Sequence, residues 1–126
     1  MDLDVRVVSI AEFLRYDASG EYDFESSKAV VAEIAKSLVE LKKCNIHLDL
    51  RNAIPKNISA GDIYSLVLHF LSFGPPQGNR LAILNDPKDE VDRAMIFSMG
   101  VNRQGFDVAS FHEFEPAMEW LSDYQT

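Results

Sequence analysis

The sequence predicts an α/β domain in which helices pack on a mostly parallel sheet, and three observations carry that expectation. First, apolar residues recur at helical spacing: Val30, Ile34, Leu38 and Leu41 form one stripe, and Ile63, Leu66, Val67, Phe70 and Leu71 form another. Second, short aliphatic runs lie between such stripes. Arg80–Leu84 is nearly all apolar, as a strand covered on both faces must be. Third, helical and strand-like stretches alternate from Asp23 onward. Each gap between strands holds the crossover helix that a parallel connection requires.

In chain order, residues 5–18 read as two short strands, a hairpin that ends at Ser19-Gly20. Val5, Val7 and Ser9 face one way, and Arg6, Val8 and Ile10 the other. A helix over 24–43 follows, with Asp23 as its N-cap. A strand over 45–50 places Ile46, Leu48 and Leu50 on one face and His47, Asp49 and Arg51 on the other. Ser59 opens a helix over 60–73 that Gly74 and Pro75 stop. After the strand Arg80–Leu84 comes a helix over 88–99, with Pro87 near its first position and Gly100 just past its end. Its core stripe is Val91, Ala94, Met95, Ser98 and Met99, so Ile96 and Phe97 fall outside it, and the helix is either wedged between layers or exposes a patch. A strand over 106–111 and a helix over 113–124 complete the chain, the helix burying Phe114, Ala117, Met118 and Leu121.

The 126 residues, 47% of them apolar, suit a single domain spanning 1–126. Such a domain buries roughly two thirds of its unfolded surface and needs no metal or disulfide to fold. Cys44 is the single cysteine, so an internal disulfide and a cysteine-based zinc site are excluded. The start, Met-Asp-Leu-Asp-Val-Arg, lacks the pattern of a signal peptide, and the longest apolar-rich stretch, 63–73, is too short and polar to span a bilayer. A cytoplasmic location without stable membrane insertion is the expectation. The net charge of −8 repels nucleic-acid phosphates and anionic lipids, so nucleic acid is not an expected partner.

Catalytic and metal-binding groups are not expected. There is no Gly-x-Ser-x-Gly elbow, and Ser98 lies inside a helix, where its hydroxyl bonds the backbone. His47, His69 and His112 fall on three separate elements without ligand spacing. Phosphate-binding glycine loops are also missing, so no cofactor is implied. The polar strand face His47/Asp49/Arg51 is the one constellation of chemical interest. Asp49 and Arg51 either orient a ligand or tie the following loop to the sheet.

Several strings resemble the SpoIIAA-like family, a branch of the STAS domains. They are Gly20-Glu21-Tyr22-Asp23, Leu48-Asp49-Leu50-Arg51, Asp92-Arg93-Ala94-Met95-Ile96-Phe97, the stretch from Asn102 to Val108 leading into Phe111, and Ala117-Met118-Glu119-Trp120-Leu121. The resemblance implies a mostly parallel sheet of about four to five strands with four helices. It also implies a non-enzymatic regulatory or protein-interaction module, because the class includes anti-sigma-factor antagonists. The family's phosphorylated serine stands in an Asp-Ser-x-Gly motif. Here the matching stretch is Ile58-Ser59-Ala60-Gly61, with isoleucine in place of the aspartate. Ser59, Gly61 and nearby Lys56 are therefore the candidate phospho-acceptor or anion site. The class also borders Sec14-like lipid-binding proteins, so the alternative is a carrier or sensor of a small apolar or anionic ligand. Phe70, Phe73, Ile96 and Phe97 are the candidate ligand or interface residues. Self-association as a homodimer is expected to use the same surface.

Overall fold

The computed structural model describes residues 3–10, 13–41, 45–86 and 92–122. These form five strands, β1 Asp4–Ile10, β2 Phe13–Tyr22, β3 Asn45–Pro55, β4 Arg80–Leu84 and β5 Asp107–Phe111, with four helices, α1 Phe24–Glu40, α2 Ala60–Leu71, α3 Arg93–Asn102 and α4 Phe114–Ser122. The strands lie in the order β1-β2-β3-β4-β5. β1 and β2 are antiparallel, and the remaining pairs are parallel.

This order decides where the helices go. Every parallel crossover steps the same way along the sheet, and right-handed crossovers then put α1, α2 and α3 on one face. Ile46, Leu48, Leu81, Ile83 and Val108 meet Ile34, Leu38, Leu66, Phe70 and Val101 there, in the main core. Of the described helices, only α4 lies on the opposite face. Its Ala117 and Leu121 pack on Ala82 of β4 in a smaller cluster. Arg80 anchors this helix: Nε meets Asp107 Oδ2 at 3.0 Å, Nη1 donates to the Trp120 carbonyl at 2.6 Å, and the guanidinium lies 4.8 Å from the indole centroid.

The helix starts match the caps read from sequence. Asp23 accepts the Ser26 N–H at 2.9 Å and Ser59 accepts the Asp62 N–H at 3.1 Å, each within a capping box. The Ser26 N–H bond, more than anything else, holds the Asp23 carboxyl below its ordinary range. At the other end of α1, Asn79 Nδ2 donates to the carbonyls of Leu41 and Leu38.

Three stretches differ from the sequence reading. β3 runs on to Pro55 instead of stopping at residue 50, because β2 continues through Gly20 to Tyr22 and supplies a partner. The pairing slips between Asp17 and Ser19, a bulge that Gly20 follows at a φ of 98°. The third helix begins at Arg93, capped by Asp92, and ends at Asn102; residues 87–91 lie outside the described ones. Gly100 is thus inside α3 and not beyond it. A Cβ there would stand 2.8 Å from Val67 Cγ2, so this glycine marks the close approach of α2 and α3. With the helix so placed, Ala94, Phe97, Ser98 and Val101 are buried and Met95 and Met99 are exposed. Ser98 Oγ donates to the Ala94 carbonyl at 2.7 Å, as its helical position implied. Residues 42–44 and 123–126 fall outside the described part, Cys44 among them.

Candidate functional site

β3 delivers the chain to the start of α2. The Lys56 N–H donates to the Tyr22 carbonyl at 2.8 Å, Asn57 takes a left-handed φ of 56°, and Ile58 is buried. Ser59 and Gly61 are therefore presented at the surface on an anchored turn. The helix start already carries its own negative charge, because Asp62 Oδ2 accepts the Ser59 N–H at 3.0 Å. Lys56 Nζ lies 3.9 Å from Glu21 Oε1, between two exposed side chains. Sequence reading named Ser59, Gly61 and Lys56 but missed Asp62. The signal was present, since a serine followed three residues later by an acid is a capping-box pattern.

The polar face of β3 becomes a larger cluster once β2 is beside it. Register places Arg15 opposite His47 and Asp17 opposite Asp49. Asp49 is 6% exposed. Its Oδ1 accepts the Arg51 backbone N–H at 3.0 Å and Nε at 3.1 Å, and its Oδ2 accepts Arg51 Nη2 at 2.9 Å. Arg15 Nη2 lies 3.7 Å from Asp49 Oδ2, and Arg15 Nε donates to Asp17 Oδ1 at 2.8 Å. Burial raises the Asp49 carboxyl, but the hydrogen bonds and charge of Arg51 outweigh this and hold it below the ordinary carboxylate range. The Arg51 side chain is raised in turn, chiefly by its bond to Asp49. This arrangement ties the bulged strand together. Arg15 and Asp17 could not be grouped with it from sequence, because strand pairing alone brings them there.

His47 has no exposed surface, and both ring nitrogens lack a hydrogen-bond partner among the described residues. Phe114 of α4 meets its ring edge-on, with centroids 5.3 Å apart. Burial first, and then the Arg15 charge, push its pKa down, so the ring is neutral at neutral pH.

The remaining sequence candidates divide into two groups. Phe70 and Phe97 are core residues, stacked edge-to-face at 5.4 Å. Phe73 is partly buried against the same core. Phe97, which the sequence left either wedged between layers or on an exposed patch, is buried, because the inward stripe of α3 is Ala94, Phe97, Ser98 and Val101. Ile96 is 40% exposed, and Met95 and Met99 are exposed beside it on α3, while α2 exposes Tyr64 and Leu68. α2 and α3 pack directly on one another where Gly100 meets Val67. Among the described residues there is no cluster of metal-ligating side chains, and no helix is long and apolar enough to cross a membrane.

No family model matches the sequence, and no curated protein is significantly similar to it. Solved structures do match. An anti-sigma factor antagonist from Mycobacterium paratuberculosis aligns over 97% of this chain and 96% of its own, with a TM-score of 0.56 and 13% identity. A protein of the DUF3478 family with a SpoIIAA-like fold, from Shewanella loihica PV-4, aligns over 94% of this chain and 93% of its own, with a TM-score of 0.52 and 14% identity. The chain has the SpoIIAA-like α/β fold.

Proposed function

We propose that this chain is a non-enzymatic regulatory module that docks a protein partner on the outer face of α2 and α3. One observation carries the reading. Tyr64 and Leu68 are exposed one turn apart on α2, and Met95, Ile96 and Met99 are exposed on the neighbouring α3; exposed apolar side chains in such number mark interaction surfaces. Methionines add an adaptable contact surface. The likeness in fold to an anti-sigma factor antagonist supports the same class of function. The net charge of −8 favours a partner with basic residues around its apolar contact.

Photo-crosslinking from position 68 in host lysate tests the surface. A discrete protein adduct is expected, and Leu68→Glu in a protein crosslinked from position 64 should reduce it at least tenfold without shifting the unfolding midpoint, because Leu68 is exposed. An adduct indifferent to Leu68→Glu and to Met99→Glu would remove the surface from consideration.

Ser59 stands at one end of this face, and its modification is the regulatory element of the proposal. A phosphoryl group there would add nearly two negative charges beside Asp62 and break the capping box. Ser59→Ala is expected to cost about 1 kcal/mol through the lost cap, whereas Ser59→Asp retains capping and stability. The regulatory role requires Ser59→Asp to weaken the adduct while Ser59→Ala leaves it in place. Equal adduct yields in both variants would leave Ser59 a cap alone.

A further inference from the structure

β1 is the outer strand of the sheet, paired with β2 on one side and with no described strand on the other. The N–H and C=O groups that point away from β2 therefore meet no neighbouring ladder. Natural edges are blunted by lysine, proline, a bulge or a covering element. Among the described residues β1 has none of these. It reads Asp-Val-Arg-Val-Val-Ser-Ile, runs for 7 residues, and pairs with β2 in unbroken register from Asp4 to Ile10. Val7 and Val8 are 47% and 44% exposed, and as neighbours in a strand they point to opposite faces of the sheet. Arg6 and Ser9 are exposed as well. Both faces of the strand are thus open, and each carries an exposed valine.

The strand that fits this edge follows from the sequence of β1 itself. A second copy related by a two-fold axis normal to the sheet brings its own β1 alongside, antiparallel, with the same face of the sheet on the same side. Residues opposite each other in an antiparallel pair are either both hydrogen-bonded or both not, so the axis must pass through a residue. With the axis at Val7 every residue of the strand finds an opposite number. Val7 faces its own counterpart, Val5 faces Ser9, and Arg6 faces Val8. No like charges stand opposite one another. Any other axis leaves part of the strand unmatched, and one at Arg6 also sets two guanidinium groups face to face, which is destabilising. The strand holds one acid and one base, Asp4 and Arg6, so the seam is neutral although the whole chain carries −8.

We infer that β1 is a self-docking edge: two copies of this chain join β1 to β1, antiparallel about Val7, into one continuous sheet. A single ladder of this length is a small interface, so the dimer is weak and reversible. The edge is a different surface from the outer face of α2 and α3 on which partner docking is proposed, so each stands or falls alone.

Sedimentation equilibrium of the full chain over rising concentration tests the inference, with urea midpoints as the check on folding. The parent is expected to show a reversible monomer–dimer equilibrium. Val7→Lys and Val7→Glu each set two like charges opposite one another across the axis, and each should weaken the dimer at least tenfold. Neither should move the urea midpoint appreciably, because position 7 is exposed. An equimolar mixture of the two variants brings opposite charges together and should restore a dimer of parental affinity. If a charged variant does not fold, the near-isosteric Val7→Cys decides, in a Cys44→Ser background with a short bifunctional thiol reagent. It should link two copies, whereas Ser9→Cys, which faces Val5 of the second copy, should not. A parent that stays monomeric at the highest concentration reached overturns the proposal and leaves the edge to a strand of another protein or to none. Charged variants that dimerise like the parent, a mixture no tighter than either variant alone, or equal linking from positions 7 and 9 also overturn it.

Discussion

Phe97→Asp is expected to abolish folding. Phe97 is 8% exposed and packs edge-on against Phe70, whose other edge contact is Phe106 at 4.8 Å. Losing the ring costs about 3–5 kcal/mol through lost burial and the cavity left behind. Aspartate adds the cost of burying a carboxylate in a largely apolar part of the core. The sum approaches the whole stability of a domain, about 5–15 kcal/mol. Phe97→Leu, in contrast, should cost about 1 kcal/mol, because the space stays apolar and largely filled. Circular dichroism and urea titration separate the two outcomes. A cooperative Phe97→Asp protein with a midpoint near that of the parent would contradict the packing described for α3. The sequence left Phe97 as a candidate interface residue, and its place in the buried stripe of α3 with Ala94, Ser98 and Val101 assigns it to the core.

The second large effect concerns His47 and acid. Its folded pKa lies below the ordinary histidine value of about 6.5, because burial and Arg15 disfavour the imidazolium. The unfolded chain therefore binds this proton more readily than the folded one. The contribution is complete above about pH 6.5 and is lost as pH falls below it, with a slope of at most about 1.4 kcal/mol per pH unit. The groups around the ring are Arg15 and Asp17 on β2, Asp49 and Arg51 on β3, and Phe114 on α4. Asp49 behaves separately. Its depressed pKa gives stability that is present above about pH 3.9 and lost as pH falls through the folded value. His47→Leu should flatten the stability profile between about pH 7 and 5. It should also leave the protein as stable or about 1 kcal/mol more stable at about pH 7.5, because two unpaired ring nitrogens leave the interior. Urea midpoints at several pH values check both statements. A His47→Leu variant that keeps the full slope of the parent below about pH 6.5 would assign the acid sensitivity elsewhere.

The opposite faces of β3 explain both the success and the limits of reading this chain. Ile46, Leu48 and Leu50 alternate with His47, Asp49 and Arg51, and the structure turns the first set to the main core. Alternation reports which side chains share a face. It does not report what covers that face. His47 is sealed under Phe114, whereas Arg51 further along the strand is exposed, because α4 reaches the start of β3 and not its far end.

By itself the sequence determined the element order, the parallel crossovers, the caps Asp23 and Ser59, the core of α2 and that of α1 except for Leu41, which caps the helix end and is exposed. Each rests on local spacing or on a hydrogen bond spanning three residues. Tertiary structure alone decided the length of β3, the placement of α3, the joining of Arg15 and Asp17 to Asp49, and the burial of Phe97 and Asn85. The physical reason is the same in each case. Strand length depends on how far the neighbouring strand runs, and the strand pairing brings the Arg15 side to Asp49. The glycine inside α3 answers to Val67 on another helix and not to its own chain neighbours. The Asn85 side chain is buried just past β4, where its amide donates to Asp92 at the start of α3, and no local pattern in the chain encodes that contact.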